Sequence, residues 1–327
     1  QRERQSLLAT IGSSRSSRQA VAGRPGIGKT TLVQAVKADA REAGYWTSAE
    51  IISLGMEGSS EELLGRLLHG VYDAVLACFP AAAGPAVEAA QQLVRSFRLR
   101  GGGFSASAFG FGAGGSQTET VSTPPSALVL DGPRVLRNLL VYAQEQGALG
   151  LVLHLNNLEN LSEADAERAA DLLRSIRDQA LLLDGLHLIV VGTTDAVRTV
   201  VQSHTQIRSV FSNPLVLRAL GLEDLQQLLA NRCAALQLDP EHPWRPPVET
   251  GVVTRLYQLF RGDLRGMFKA MEDGMTALLG LSGSGMAPVG LDDLLLVLRQ
   301  RNQRELEDQL GPTNWERLQA WGRREQP

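Results

Sequence analysis

Hydrophobic positions along the chain alternate between two regimes. Short apolar runs bounded by turn residues predict strands over Gln19 to Ala22, Tyr45 to Leu54, Leu149 to Leu155, Leu186 to Val191 and Leu215 to Leu220. Between them, apolar residues recur at helical spacing. Leu32, Val33 and Val36 do so within Thr31 to Ala40, and Leu63, Leu64, Leu67, Leu68, Val71 and Val75 within Glu61 to Phe79. Further helices are predicted over Gln1 to Ile11, Pro85 to Arg98, Pro133 to Glu145, Ser162 to Leu182, Asp195 to Val201 and Leu222 to Leu236. Strand followed by helix, repeated, is the order of a parallel sheet covered by helices, an α/β fold. The run Leu149 to Leu155 is apolar except for His154, as expected of a strand buried on both faces, with His154 a core residue.

The pattern changes after position 238. Asp239 to Pro247 carries four prolines, too many for helix or central strand, and only helical patterns follow. These run over Val248 to Phe260, Asp263 to Leu279 and, past a Gly/Ser linker from Leu281 to Val289, Leu291 to Leu310; Thr313 to Arg324 is also helical in pattern. The expected organisation is a sheet domain over 1–238, a helical domain over 248–280 and the start of a further helical segment over 290–327. One stretch interrupts the first domain. Positions 100–126 are rich in Gly, Ser and Thr, carry Phe104, Phe109 and Phe111, and end in Pro124 and Pro125. Composition admits a flexible linker or a hairpin, and the phenylalanines favour the hairpin.

The chain has 327 residues, 43% of them hydrophobic and 20% charged, which excludes a disordered or fibrous protein. A net charge of −3 gives no overall electrostatic footprint for nucleic acid and leaves a local basic patch open. Cys78 and Cys233, the only two cysteines, exclude a disulfide framework or a zinc site of the usual kind and read as core residues. No run is long enough to cross a bilayer and Gln1 to Ser17 is unlike a signal peptide, so the expected location is the cytoplasm, with no membrane partner. The chain opens inside a predicted helix without an initiator methionine and is expected to be a piece of a longer protein.

The most specific motif follows the first predicted strand. Gly23-Arg24-Pro25-Gly26-Ile27-Gly28-Lys29-Thr30 fits G-x-x-x-x-G-K-[ST] at every fixed position, between a strand and a helix as a phosphate-binding loop requires. Glycines at 23, 26 and 28 let backbone amides turn toward a triphosphate. Lys29 supplies an ammonium for the β and γ phosphates, the Thr30 hydroxyl is placed for Mg²⁺, and the following helix points its positive end at the same anion. The expected ligands are ATP or ADP with Mg²⁺, bound by Gly23, Pro25, Gly26, Ile27, Gly28, Lys29, Thr30 and Thr31.

A second nucleotide motif belongs at the end of the Leu149 to Leu155 strand, where acidic residues would hold Mg²⁺ and activate water. Here the places are taken by Asn156, a candidate metal ligand, and Asn157, with the first carboxylate at Glu159. Asn157 and Glu159 are therefore the candidates for orienting or activating water, and hydrolysis is expected to be weak. At the end of the Leu186 to Val191 strand, Thr193 and Thr194 either approach the γ-phosphate or cap the next helix.

Phosphate loop, altered second motif, threonine-tipped strand and a trailing helical segment together resemble the AAA+ ATPases. Arg261-Gly262-Asp263-Leu264-Arg265 is similar to the G-D-x-R element of the helical lid in origin-recognition-type initiator ATPases, which implies that Arg265 reaches the γ-phosphate. Arg208-Ser209-Val210-Phe211 loosely resembles the segment carrying their arginine finger, which implies an intersubunit role for Arg208 and a homo-oligomer. The glycine-rich insert followed by prolines is similar to that of STAND signalling ATPases. In both families a winged helix often follows the lid, so 290–327 resembles its opening helices. The resemblance implies an AAA+ sheet domain with a helical lid, acting as an ATP-dependent switch on a protein effector, or as an initiator-like or transposition-type ATPase on DNA. A P-loop small-molecule kinase is the less favoured third reading.

Overall fold

The computed structural model describes residues 1–49, 51–53, 59–100, 126–156, 158, 162–236, 248–279 and 288–305. They divide into two compact units, Gln1–Leu217 and Arg218 onward.

The first unit is built on a six-stranded parallel sheet of β1 (Ser17–Ala22), β2 (Trp46–Thr47), β3 (Ile52–Ser53), β4 (Leu151–Asn156), β5 (Leu186–Gly192) and β6 (Leu215–Val216). Its order is β2-β4-β5-β1-β6, with β3 also paired to β4. The predicted run Tyr45 to Leu54 is thus two short strands. Between them the chain leaves the ladder at buried Ser48, whose hydroxyl donates to Asp73 at 2.5 Å, while Arg41 donates to the Thr47 carbonyl at 3.0 Å. The fourth strand starts later than predicted, since Leu149 is 60% exposed.

Side chains alternate across the sheet, and the two faces bury different helices. Val21, Val152, Ile189 and Val191 pack with α1 (Arg2–Gly12) and α2 (Lys29–Glu42) through Leu7, Ile11, Val33 and Val36. Ala20, Ala22, Leu151, Leu153, Leu155, Leu186, Leu188 and Val190 face the other way. There they join the larger core under α3 (Ser60–Cys78), α4 (Pro85–Arg100), α5 (Ser126–Glu145), α6 (Glu163–Ser175) and α7 (Thr194–Gln202). α2 follows β1 on one face and α7 follows β5 on the other, so the two adjacent strands send their connections to opposite sides. That is a topological switch point, where open α/β sheets bind ligands at the carboxyl ends of the strands.

Three local departures from the sequence reading have physical causes. α5 starts at Ser126 and runs through Pro133; the lost amide bond is tolerated because Val135, Leu136, Leu139 and Leu140 bury the following turns. The predicted helix Ser162 to Leu182 keeps its start, where Ser162 and Asp165 cap each other, but past Ser175 it widens into a π-helical turn over Arg177–Leu181. Cys78 is half-buried, its thiol 3.9 Å from the Thr47 carbonyl oxygen, rather than a core residue.

α8 (Thr205–Arg208) precedes β6 in the first unit. The second unit is helical, with α9 (Leu222–Leu236), α10 (Thr250–Leu259), α11 (Leu264–Leu279) and α12 (291–305) around Leu225, Val252, Leu256, Tyr257, Met267 and Leu294. By packing, α9 belongs here: Leu225 enters this core and the Tyr257 hydroxyl donates to the Leu220 carbonyl at 3.0 Å. The sequence places the end of the sheet domain near 238 because helical periodicity does not say which core a helix serves. The 101–125 insert, the proline-rich stretch 239–247, most of the 281–289 linker and 306–327 lie outside the described residues. Among the described residues, no helix is long and apolar enough to cross a membrane.

His154 on β4 and His187 on β5 are fully buried. Burial, then the charge of Lys37, pushes His154 down to about 3; burial, then Arg18, pushes His187 down to about 4. Both fold as neutral rings, whereas the unfolded chain protonates them near 6.5. The unfolded state therefore binds more protons below that pH, and this part of the stability is complete above it and lost as pH falls toward the folded values. Urea unfolding is predicted to show a falling midpoint from pH 7 to pH 5, with His154→Leu flattening the slope; an unchanged slope in the variant contradicts this assignment.

Candidate functional site

The carboxyl ends of β1 and β5 meet at the glycine-rich loop. The Gly23 amide donates to the Gly192 carbonyl at 3.3 Å, tying the loop's start to the tip of β5. Gly23 is closely enclosed, since a Cβ there would lie 3.2 Å from the Leu217 carbonyl oxygen. Gly28 meets no such obstacle; its requirement is conformational, with φ of 98°, and Gly26 has φ of 74°. These left-handed residues turn the chain sharply into α2.

Gly28 is the N-cap of α2 and no side chain caps the helix. Its first-turn amides have no intrahelical acceptor by geometry, so together with the helix dipole they form an anion site. Lys29 is 4% exposed, and its ammonium donates to the carbonyls of Gly23 at 3.1 Å and Arg24 at 2.9 Å, which holds it inside the curve of the loop. Ile27 is buried and anchors the loop from below, Thr30 is half-buried, and Arg24, Pro25 and Thr31 are exposed.

At the tips of the neighbouring strands the groups are uncharged. Asn156 ends β4, and its Oδ1 is buried without a hydrogen-bond partner. Asn157 and Glu159 lie outside the described residues. Beyond β5, the Thr193 hydroxyl accepts from the Ala196 amide at 3.3 Å as the N-cap of α7, while Thr194 is exposed at the first position of that helix. Capping accounts for one lone pair of Thr193 and leaves its proton to donate. Gly192 is required between the strand tips, because a Cβ there would lie 2.5 Å from Cβ of Leu158.

The arginines named from the sequence are exposed. Arg208 ends the short α8 in the first unit. In the second unit, Arg261-Gly262-Asp263 forms the turn between α10 and α11. Arg261 has φ of 50° and Gly262 φ of 85°, and Asp263 accepts from the Gly266 amide at 3.0 Å. Turn and cap explain Gly262 and Asp263 structurally. They do not explain Arg265, which sits in the first turn of α11, has no ion-pair partner among the described residues, and opposes the helix dipole by about 0.3–1 kcal/mol.

Sequence reading missed the buried lysine of α2. Lys37, two turns after Lys29, is 3% exposed with no partner for its ammonium, and burial pushes it down to about 8. Both ring nitrogens of His154 also lack partners. Residue type alone does not separate a buried lysine on an amphipathic helix from a solvated one. A closer accounting of helical phase would have found it, since Lys29, Val33, Val36, Lys37 and Ala40 make one buried stripe.

A model of the AAA ATPase domain matches residues 1–191. Among solved structures, the chain is similar to the Aeropyrum pernix ORC1 protein in complex with DNA, with TM-score 0.54 and 11% identity over 94% of this chain and 66% of that one. It is also similar to the Aeropyrum pernix ORC2 protein in its ADP form, with TM-score 0.51 and 15% identity over 91% of this chain and 66% of that one. At these identities the likeness is one of fold. The chain spans just under two thirds of the length of both. No curated protein matches the sequence.

The loop geometry makes a direct prediction for Gly28→Ala. A left-handed L-residue costs about 1–2 kcal/mol, which the loop escapes by relaxing and turning its amides away from the site. Fluorescence titration with a labelled ADP is expected to show affinity reduced about tenfold or more, since about 1.4 kcal/mol is tenfold. Affinity equal to wild type would mean that φ at Gly28 does not matter for binding.

Proposed function

The chain belongs to the AAA ATPase domain family, and on that premise we propose that it is a nucleotide-operated switch that binds ATP or ADP and hydrolyses ATP slowly. The observation that carries this reading is the site at the β1–α2 junction: left-handed Gly26 and Gly28, an uncapped helix start and a buried Lys29, with an amide rather than a carboxylate at the tip of β4.

In this reading Gly23 to Thr31 hold the phosphates, with Lys29 neutralising the β and γ groups. Mg²⁺, when bound with the nucleotide, supplies further charge neutralisation, and Thr30 and Asn156 are the residues that would hold it. The half-buried Thr30 hydroxyl and the unpartnered Asn156 Oδ1 are oxygen donors of the kind this cation takes. Asn157 orients water but cannot accept its proton, and Glu159 is the nearest carboxylate in the sequence able to do so. The Thr193 hydroxyl and Thr194 contact the γ-phosphate or its attacking water. Arg208 serves a neighbouring subunit of a homo-oligomer, and Arg265 reads the γ-phosphate from the helical unit. The nucleotide state then controls assembly or an effector, as in a STAND-type regulator. Likeness in fold to the Aeropyrum pernix ORC1 protein, solved in complex with DNA, supports a second reading, in which DNA is that effector.

Turnover tests the slow-switch reading. Loss of a positioned base removes about 10²–10⁴-fold in rate, so single-turnover hydrolysis by wild type is expected to be slow, with Asn157→Glu faster at unchanged affinity. Rapid wild-type turnover that survives Glu159→Gln would contradict it.

A further inference from the structure

The second unit carries a cleft of about 810 Å³ between the end of α10, the first half of α11 and the second half of α12. Its floor is apolar. Phe260, Leu295 and Leu298 pack against the unit's core from its margin and are only partly buried, and Leu259 is 52% exposed. The rim is charged: Arg301 of α12 lies 3.0 Å from Asp273 and 3.2 Å from Glu305, which ties the end of α12 beside α11. An apolar floor inside a polar rim is the anatomy of an interface.

The position of the cleft says which segment reaches it. Residues 280–287, outside the described residues, join the C-terminal end of α11 to the N-terminal end of α12, whereas the cleft runs along the other ends, Gly266 to Asp273 and Leu295 to Glu305. Glu305 stands on the lip, and the chain continues from it through 306–327, which also lie outside the described residues. In the sequence, Leu306 and Leu310 follow Leu298 at multiples of four, so they extend one apolar stripe of α12. Gly311-Pro312 then stops the helix and allows a reversal. Beyond it, Trp315, Leu318 and Trp321 recur at every third position, within about a third of a helix circumference and with no charge among them. A helix folded back at this turn retraces α12 at about 1.5 Å per residue, which brings Trp321 level with about Asn302, inside the span of the cleft.

We infer that the cleft is the seat of this chain's own segment 313–324, which lies antiparallel on α12 and inserts Leu318 and Trp321 over Leu259, Leu295 and Leu298. The tether decides the occupant. A segment joined to the lip by 306–312 has an effective concentration on the order of millimolar, so a modest apolar contact keeps it seated against any free partner. The stretch 290–327 then completes the helical unit, as α12 does by placing Leu294 in that core, instead of opening a separate winged helix. The inference does not depend on nucleotide binding.

Hydrogen–deuterium exchange of the full chain, read peptide by peptide by mass spectrometry, tests this. Amides of 313–324 are expected to exchange about tenfold or more slower than those of an unstructured segment, at any protein concentration. Leu259→Asp, a change at an exposed position, is expected to speed their exchange about tenfold or more while α11 keeps its protection. Ala270→Arg, which fills the cleft from α11 with a good helix former, gives the same test if Leu259→Asp loosens α10. Wild-type exchange over 313–324 as fast as in an unstructured segment overturns the inference and leaves the cleft to another protein. Protection that neither substitution changes also overturns it, because the segment then packs elsewhere. So does protection that appears only as protein concentration rises, which assigns the cleft to a second copy.

Discussion

A backbone that presents several amides to one anion has to give up side chains and ordinary φ values at the same positions, and the first unit is arranged around that constraint. Gly26 and Gly28 take the left-handed turns, Gly23 fits against the Leu217 carbonyl, and the loop begins under a hydrogen bond to the tip of β5. The sheet order supplies the place for it, because α2 and α7 leave adjacent strands on opposite faces and open a crevice at their carboxyl ends. Burial of Val33 and Val36 against Val152 and Ile189 then fixes the axis of α2, and with it the direction of its dipole.

The same helix carries an unusual load of buried polarity. Lys29 donates to two loop carbonyls, but the Lys37 ammonium has no hydrogen-bond partner, and buried His154 stays neutral because both desolvation and the lysine's charge oppose its protonation. Unpaired buried polar groups destabilise a fold unless something else satisfies them, so their concentration beneath a ligand site points to function rather than packing. Asn156, at the end of β4, also has a buried oxygen without a partner, and it stands where the sequence reading expects a carboxylate. On the proposed reading, an amide in that place favours binding of the nucleotide's phosphates over activation of water.

Much of this was legible in the sequence. Periodicity identified the parallel sheet, and the bounds of α9 follow its apolar spacing. The loop motif fits its strand and helix because Gly23, Gly28 and Lys29 have no structural substitutes there. Other features were not legible, for reasons of geometry. The break between β2 and β3 depends on Ser48 meeting Asp73, twenty-five residues away, which no local window sees. The start of α5 before Pro133 depends on a core that buries its later turns. Assignment of α9 to the helical unit depends on Leu225 and Leu220 finding partners there. Arg265 shows the mixed case: its motif was visible, and the structure separates Gly262 and Asp263, which the turn requires, from the arginine, which it does not.

The central claim is that a nucleotide's phosphates lie against Lys29 in the β1–α2 loop. Isothermal titration of ATP into wild type and Lys29→Ala measures it most directly. A buried charge-assisted hydrogen bond contributes about 1.5–3 kcal/mol, and an ammonium spanning two phosphates makes more than one. The account predicts saturable one-site binding by wild type and, for Lys29→Ala with an unchanged unfolding transition, affinity reduced about a hundredfold or lost, since each 1.4 kcal/mol is about tenfold. Binding by Lys29→Ala within a few-fold of wild type would place the nucleotide elsewhere and contradict the account.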